Sequence, residues 1–136
     1  MRVVVTGGSG KAGSAIIPEL LEHGHEVLSV DTVAGDGGTP FMRADVTDYG
    51  QTLSVLRDAD WVIHMAAIPS PVSDPPEVVF STNTVSTWNV LQAAEVLGIT
   101  KLVLASSVNA VGLVFSRETV PPLYLPIDEE HPTRAE

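Results

Sequence analysis

The chain has 136 residues, 44% of them hydrophobic, with 17 acidic side chains against 7 basic ones and a formal net charge of −10. That length suits one globular domain, and the acidic balance argues against nucleic-acid binding, which needs clustered Lys and Arg. The absence of cysteine excludes disulfides and thiolate metal sites, the four histidines lack metal-ligand spacing so that no metal is expected, and no run approaches the roughly 20 apolar residues of a membrane span.

In chain order, Arg2 to Thr6 is a short β-branched run ended by glycine, the pattern of a buried strand. Lys11 to His23 carries Ile16, Ile17, Leu20 and Leu21 on one helical stripe, and Gly24 suits its end. Pro18 lacks a backbone donor and is expected to kink this helix unless it falls near the first turn. A second strand runs from Glu26 to Val30, and the glycine-rich stretch after Asp31 is a loop by composition. Phe41 to Ala44 reads as a third strand, Tyr49 to Arg57 as a helix, and the apolar run from Trp61 as a fourth strand. Pro75 and Pro76 are placed to start a long helix, Glu77 to Leu97, that Gly98 closes. Lys101 to Ala105 is a fifth strand. Strands alternating with helices predict an α/β, doubly wound parallel sheet (a Rossmann fold) of about five strands, helices on both faces and a ligand site at the carboxyl ends of the strands.

Four glycines, Gly7, Gly8, Gly10 and Gly13, fall in seven positions between the first strand and the first helix. Gly7 permits a sharp turn, Gly10 lets backbone approach a phosphate, and Gly13 lets the helix pack close to the strand. The helix start then offers N–H groups and a dipole to a diphosphate. A tight turn without ligand is the alternative. Lys11 lacks the spacing of a phosphate-loop lysine. Asp31 ends the second strand 18 residues after Gly13, near the offset of a ribose-binding acid; it would repel a 2′-phosphate, so NAD is favoured over NADP. A strand-end acid solvated in a turn is the plainer reading. His64, inside an apolar strand, reads as a core histidine.

The order of motifs resembles the short-chain dehydrogenase/reductase superfamily, in its extended branch of NAD-dependent epimerases and dehydratases. The matching stretches are TGGSGKAG, ADVTD, VIHMAA, STNTVSTWNVLQAA and LASSVNAVG, which follow one another in order across nearly all of residues 1–115. The resemblance implies that Asp45 and Val46 meet the adenine, that Met65, Ala66 and Ala67 line the cofactor, and that Ser107 stands at the catalytic Ser/Thr position. It implies a cofactor-binding set of Gly7, Gly10, Lys11, Ala12, Gly13, Asp31, Thr32, Asp45, Val46, Met65, Ala66, Ala67, Asn83 and Ser106. Asn83 shares a helical stripe with Thr87, Val90, Ala94 and Leu97 and should face the interior. There its amide either bonds backbone at a strand end or touches the cofactor.

The family's Tyr-x-x-x-Lys pair, in which the lysine lowers the tyrosine's pKa for proton transfer, has no counterpart in these residues. Tyr49 is followed four positions later by Leu53, and Tyr124 by Asp128. The expected organisation is an NAD-binding domain over 1–115 and a proline-rich acidic segment over 116–136, the N-terminal part of a longer cytoplasmic enzyme. The resemblance implies a sugar or sugar-nucleotide substrate, epimerase, dehydratase or dehydrogenase chemistry, and a possible homodimer. A non-catalytic NAD-binding module or redox sensor is the alternative.

Overall fold

The computed structural model describes residues 1–35, 38–70, 72–112 and 121–133. They divide into two compact units, Met1–Leu104 and Ala105–Glu136; the expected boundary at 115/116 lies outside the described residues. In the first unit the elements run β1 (Arg2–Thr6), α1 (Lys11–Glu22), β2 (Glu26–Asp31), β3 (Phe41–Arg43), α2 (Tyr49–Leu56), β4 (Trp61–His64), α3 (Pro76–Leu97) and β5 (Leu102–Leu104). The strands form one sheet in the order β3-β2-β1-β4-β5, every neighbouring pair parallel. β1 is central: Val4 stands level with Leu28 on one side and Val62 on the other. The strand order reverses between β1 and β4, which opens a crevice at the carboxyl ends.

Alternation along β1 splits the core in two. Val4 points to the face covered by α2 and α3, against Leu28, Val30, Val55, Leu56, Val62, Val90, Ala93 and Ala94. Val3 and Val5 point to the other face, with Val27 and Ile63, under Ile17 and Leu20 of α1. All three β1 valines are fully buried, each contributing about 1.5–3 kcal/mol of transfer free energy. Helices thus cover both faces of a parallel sheet, as the alternation of elements led us to expect.

The ends follow from local chemistry. Pro75 and Pro76 open α3, where a missing N–H costs nothing, and Gly98 closes it at φ +72°. Asp48 caps α2 by accepting from the Gln51 N–H. Pro18 lies inside α1, beyond its first turn, and the helix continues past it to Glu22; Ser14, whose carbonyl it deprives of a partner, is exposed and loses little. One expectation needs correction. Leu97, assigned to the same stripe of α3 as Val90 and Ala94, is 36% exposed in the last turn of the helix, whereas those two are buried.

In the second unit, Ser107 caps a short 3-10 turn over Val108–Val111, its hydroxyl accepting from the Asn109 N–H at 3.1 Å. Further on, the Tyr124 hydroxyl donates to Asp128 Oδ1 at 2.7 Å. His131 is buried, with Nε2 accepting from the Leu123 N–H and Nδ1 donating to the Pro132 carbonyl.

Candidate functional site

The loop after β1 is glycine-rich for steric reasons visible at each position. Gly7 has φ +69°, and a Cβ there would stand 2.5 Å from the Ala66 nitrogen at the exit of β4. A Cβ on Gly8 would meet the Ser29 hydroxyl, and one on Gly13 would enter the Gly7 carbonyl. At these three glycines the loop backbone packs against the Ala66 backbone, the Ser29 side chain and itself, with no room for a side chain. Gly10 precedes α1 without a side-chain cap, so the first N–H groups of the helix have no side chain competing for them. That is the chemistry of an anion cradle.

Beside it, Asp31 ends β2 with its carboxylate held in place. Oδ2 accepts from the Ser9 N–H at 3.1 Å and Oδ1 from the Thr32 N–H at 2.7 Å. The Ser9 hydroxyl donates to the Val33 carbonyl at 2.7 Å, so Ser9 ties the glycine loop to the end of β2 twice. The Thr32 hydroxyl adds a longer contact to Oδ1 at 3.4 Å; since a carboxylate can accept about four hydrogen bonds, Asp31 keeps room on Oδ2 for a ribose hydroxyl.

These groups line one cleft of about 350 Å³ in the first unit. It brings together Gly7, Gly10, Asp31, Thr32, Asp45, Val46, Met65, Ala66 and Ala67 from the sequence-derived set. Lys11, Ala12 and Gly13 form the first turn of α1 outside that lining. Asn83 also lies outside it: Oδ1 accepts from the Ile68 N–H at 2.8 Å and Nδ2 donates to the Ile68 carbonyl at 3.0 Å. Of the two roles open to its amide, the structure shows the backbone one, just past the end of β4. Ser106 and Ser107 belong to the second unit, and both are exposed.

Sequence reasoning missed Ser9, Thr47, Ile68, Thr82 and Ser86, all of which line the cleft. Thr82 and Ser86 stand four residues apart on α3 and so share one side of it, but with Ser81, Asn83, Thr84, Thr87 and Asn89 in the same stretch nothing in the sequence singles them out. His64 is the core histidine expected. It is 4% exposed, with Nδ1 2.6 Å from the Thr6 hydroxyl and Nε2 3.3 Å from the Thr87 hydroxyl. Burial pushes its pKa down to about 4, so it is neutral at pH 7. Tyr124 is poorly suited to proton abstraction, since its hydrogen bond to Asp128 raises its pKa.

The family model for the NAD-dependent epimerase/dehydratase family matches residues 3–132. The chain belongs to that family. Its cofactor is NAD, in keeping with a cleft whose glycine backbone leaves room for a diphosphate and whose Asp31 has lone pairs free for a ribose. The UDP-glucose 4-epimerase of Lactobacillus helveticus is 32% identical over 97% of this chain and 41% of its own length. The crystal structure of UDP-glucose 4-epimerase from Thermus thermophilus, a complex with NAD, is 35% identical with a TM-score of 0.80, over 99% of this chain and 45% of that one. Uronate dehydrogenase from Agrobacterium tumefaciens is 26% identical with a TM-score of 0.70, over 81% of this chain and 41% of that one. The chain thus spans less than half the length of each. Among the described residues, no helix is long and apolar enough to cross a membrane.

Proposed function

We propose that this chain is the NAD-binding part of an enzyme that oxidises and reduces a sugar or sugar nucleotide by hydride transfer, as an epimerase, dehydratase or dehydrogenase. The observation that carries the reading is the cleft at the strand reversal, where a glycine-rich loop and a fixed carboxylate stand side by side. NAD, when bound, supplies the hydride acceptor. The residues of the chain hold and orient it. The glycine loop and the start of α1 take the diphosphate, Asp31 takes a ribose hydroxyl, and Met65 to Ile68 form an apolar wall on the β4 side.

Ser107 has a role of its own in this reading. Its oxygen accepts from the Asn109 N–H, which orients the hydroxyl and leaves its hydrogen to bond a substrate oxygen. Among the described residues no base bonds its hydroxyl, and the reading gives it no part as a nucleophile. The 136 residues contain no Tyr-x-x-x-Lys, so the chain alone binds and does not turn over. That same observation favours, as the second reading, a binding module without chemistry.

Homodimerisation is part of the proposal. Phe80 and Trp88 of α3 are 73% and 63% exposed, and no charged residue occurs between Glu77 and Glu95. An uncharged aromatic face on a chain of net charge −10 suits a second copy. Calorimetric titration with NAD tests the binding reading, and absence of heat overturns it. NADH formation from UDP-glucose or a uronic acid by this chain would overturn the division of labour. Sedimentation velocity tests the dimer, with Trp88→Glu shifting the chain toward monomer.

A further inference from the structure

An adenosine seated in this cleft has one direction in which to lay its base. The strand order puts the glycine loop at the end of β1 and Asp31 at the end of β2, with β3 beyond. With the diphosphate over the first and the ribose against the second, the base extends toward the loop that follows β3, residues 44–47, all of which line the cleft.

That loop is a single turn, closed by the Asp48 N–H to the Asp45 carbonyl at 3.0 Å and by the Thr47 N–H and hydroxyl to Asp45 Oδ1 at 2.9 and 2.7 Å, and the polar groups left over take partners from elsewhere. Neighbouring α2 provides two. Gln51 Oε1 accepts from the Asp45 N–H at 2.9 Å, and the buried Thr52 hydroxyl lies 3.0 Å from the Val46 carbonyl. The last partner comes from α3. Asn89 is buried, and its Nδ2 donates to the Val46 carbonyl at 3.0 Å and to the Thr47 carbonyl at 2.8 Å. Two successive carbonyls facing one point require two hydrogens on one short side-chain atom, and the asparagine amide supplies them.

We infer that Asn89 is a positioning residue for the nucleotide's base. It does not line the cleft. It holds the Val46 and Thr47 carbonyls inward, and so fixes which backbone and side-chain groups of the turn face the base edge. The inference rests on the reading of the cleft as an NAD site and adds a base-selecting element to it. Asn83, six residues earlier, clamps the β4 wall in the same manner, so α3 sets the spacing of both walls of the cleft.

The test uses the full chain and two ligands, NAD and nicotinamide hypoxanthine dinucleotide, which keep the same diphosphate and riboses and differ only along one edge of the base, 6-amino with an N1 acceptor in the first and 6-oxo with an N1–H donor in the second. Each is titrated calorimetrically into wild type and Asn89→Asp, which keeps the shape and presents an acceptor to the two carbonyls. The expected result is a dissociation constant for NAD raised about tenfold, with the hypoxanthine analogue raised less than about threefold, so that base selectivity contracts. An equal loss for both ligands, or no loss, overturns the positioning role. Wild type that binds both without preference overturns the inference alone, whereas wild type that binds neither overturns the NAD reading itself. If Asn89→Asp shows no cooperative thermal unfolding, Asn89→Ser, with one hydroxyl hydrogen, takes its place and must show the same contraction of selectivity.

Discussion

Gly7 and Gly98 have nearly the same left-handed backbone, φ +69° and +72°, yet alanine should behave differently at the two. At Gly98 a Cβ finds nothing within 4 Å, so only the backbone penalty of about 1 kcal/mol applies. At Gly7 the same penalty is joined by a collision with the Ala66 backbone, an overpacking cost of about 1–3 kcal/mol. Urea midpoints should therefore fall further for Gly7→Ala, and only that variant should also lose NAD affinity, because Ala66 lines the cleft. His64 makes a prediction of the opposite kind, with stability set by pH. Its folded pKa of about 4 lies below the ordinary value of 6.5, so between those values the unfolded chain binds the extra proton. Stability is complete above pH 6.5 and is lost as pH falls toward 4, by roughly 3 kcal/mol at the bottom of the window. Urea unfolding of wild type and His64→Asn across about pH 4–7 should show a steeper dependence for wild type.

At the scale of elements, α3 carries the most consequence. Asn83→Ala removes both bonds to Ile68, and about 1–3 kcal/mol of stability should go with them. Amide exchange at Ile68 should quicken, while exchange in β1 follows only the global change. How far this was legible in the sequence depends on what sets each feature. The ends of α3 were legible because Pro75, Pro76 and Gly98 act through their own backbone. The parallel sheet was legible because Val3 to Val5 and Trp61 to His64 are apolar runs followed by turns and helices. For Asn83 the kind of partner, backbone at a strand end, was foreseen as one of two roles, but Ile68 itself and the partners of Asn89 were not legible, since helical spacing tells which side of a helix is buried but not which loop lies against it. Ser9 escaped notice for a related reason: its two bonds reach residues 22 and 24 positions away, and nothing local marks it. That Ser14, whose carbonyl Pro18 deprives of a partner, faces solvent was not legible either, since it depends on which side of α1 packs on the sheet.

For the molecule as a whole, cofactor choice should appear as a difference in stability. A ligand that binds only the folded chain, at a concentration about one hundred times its dissociation constant, adds about 2.7 kcal/mol, a shift of several degrees in melting temperature for a domain of this size. NAD should produce that shift. NADP at the same concentration should not, for two reasons that act together. Asp31 is held by the Ser9 and Thr32 amides, so its carboxylate cannot swing away from a 2′-phosphate. The chain's net charge of −10 adds a weaker, salt-screened repulsion of the extra charge. The two are separable by experiment. Asp31→Asn keeps the shape and can still meet the Ser9 N–H through its oxygen, but removes the local charge. Its NAD shift should shrink while its NADP shift grows. Added salt should raise the wild-type NADP response only slightly, because a fixed carboxylate at contact distance is screened far less than the distant surface. A wild-type response to NADP equal to that with NAD would show that Asp31 does not face the ribose.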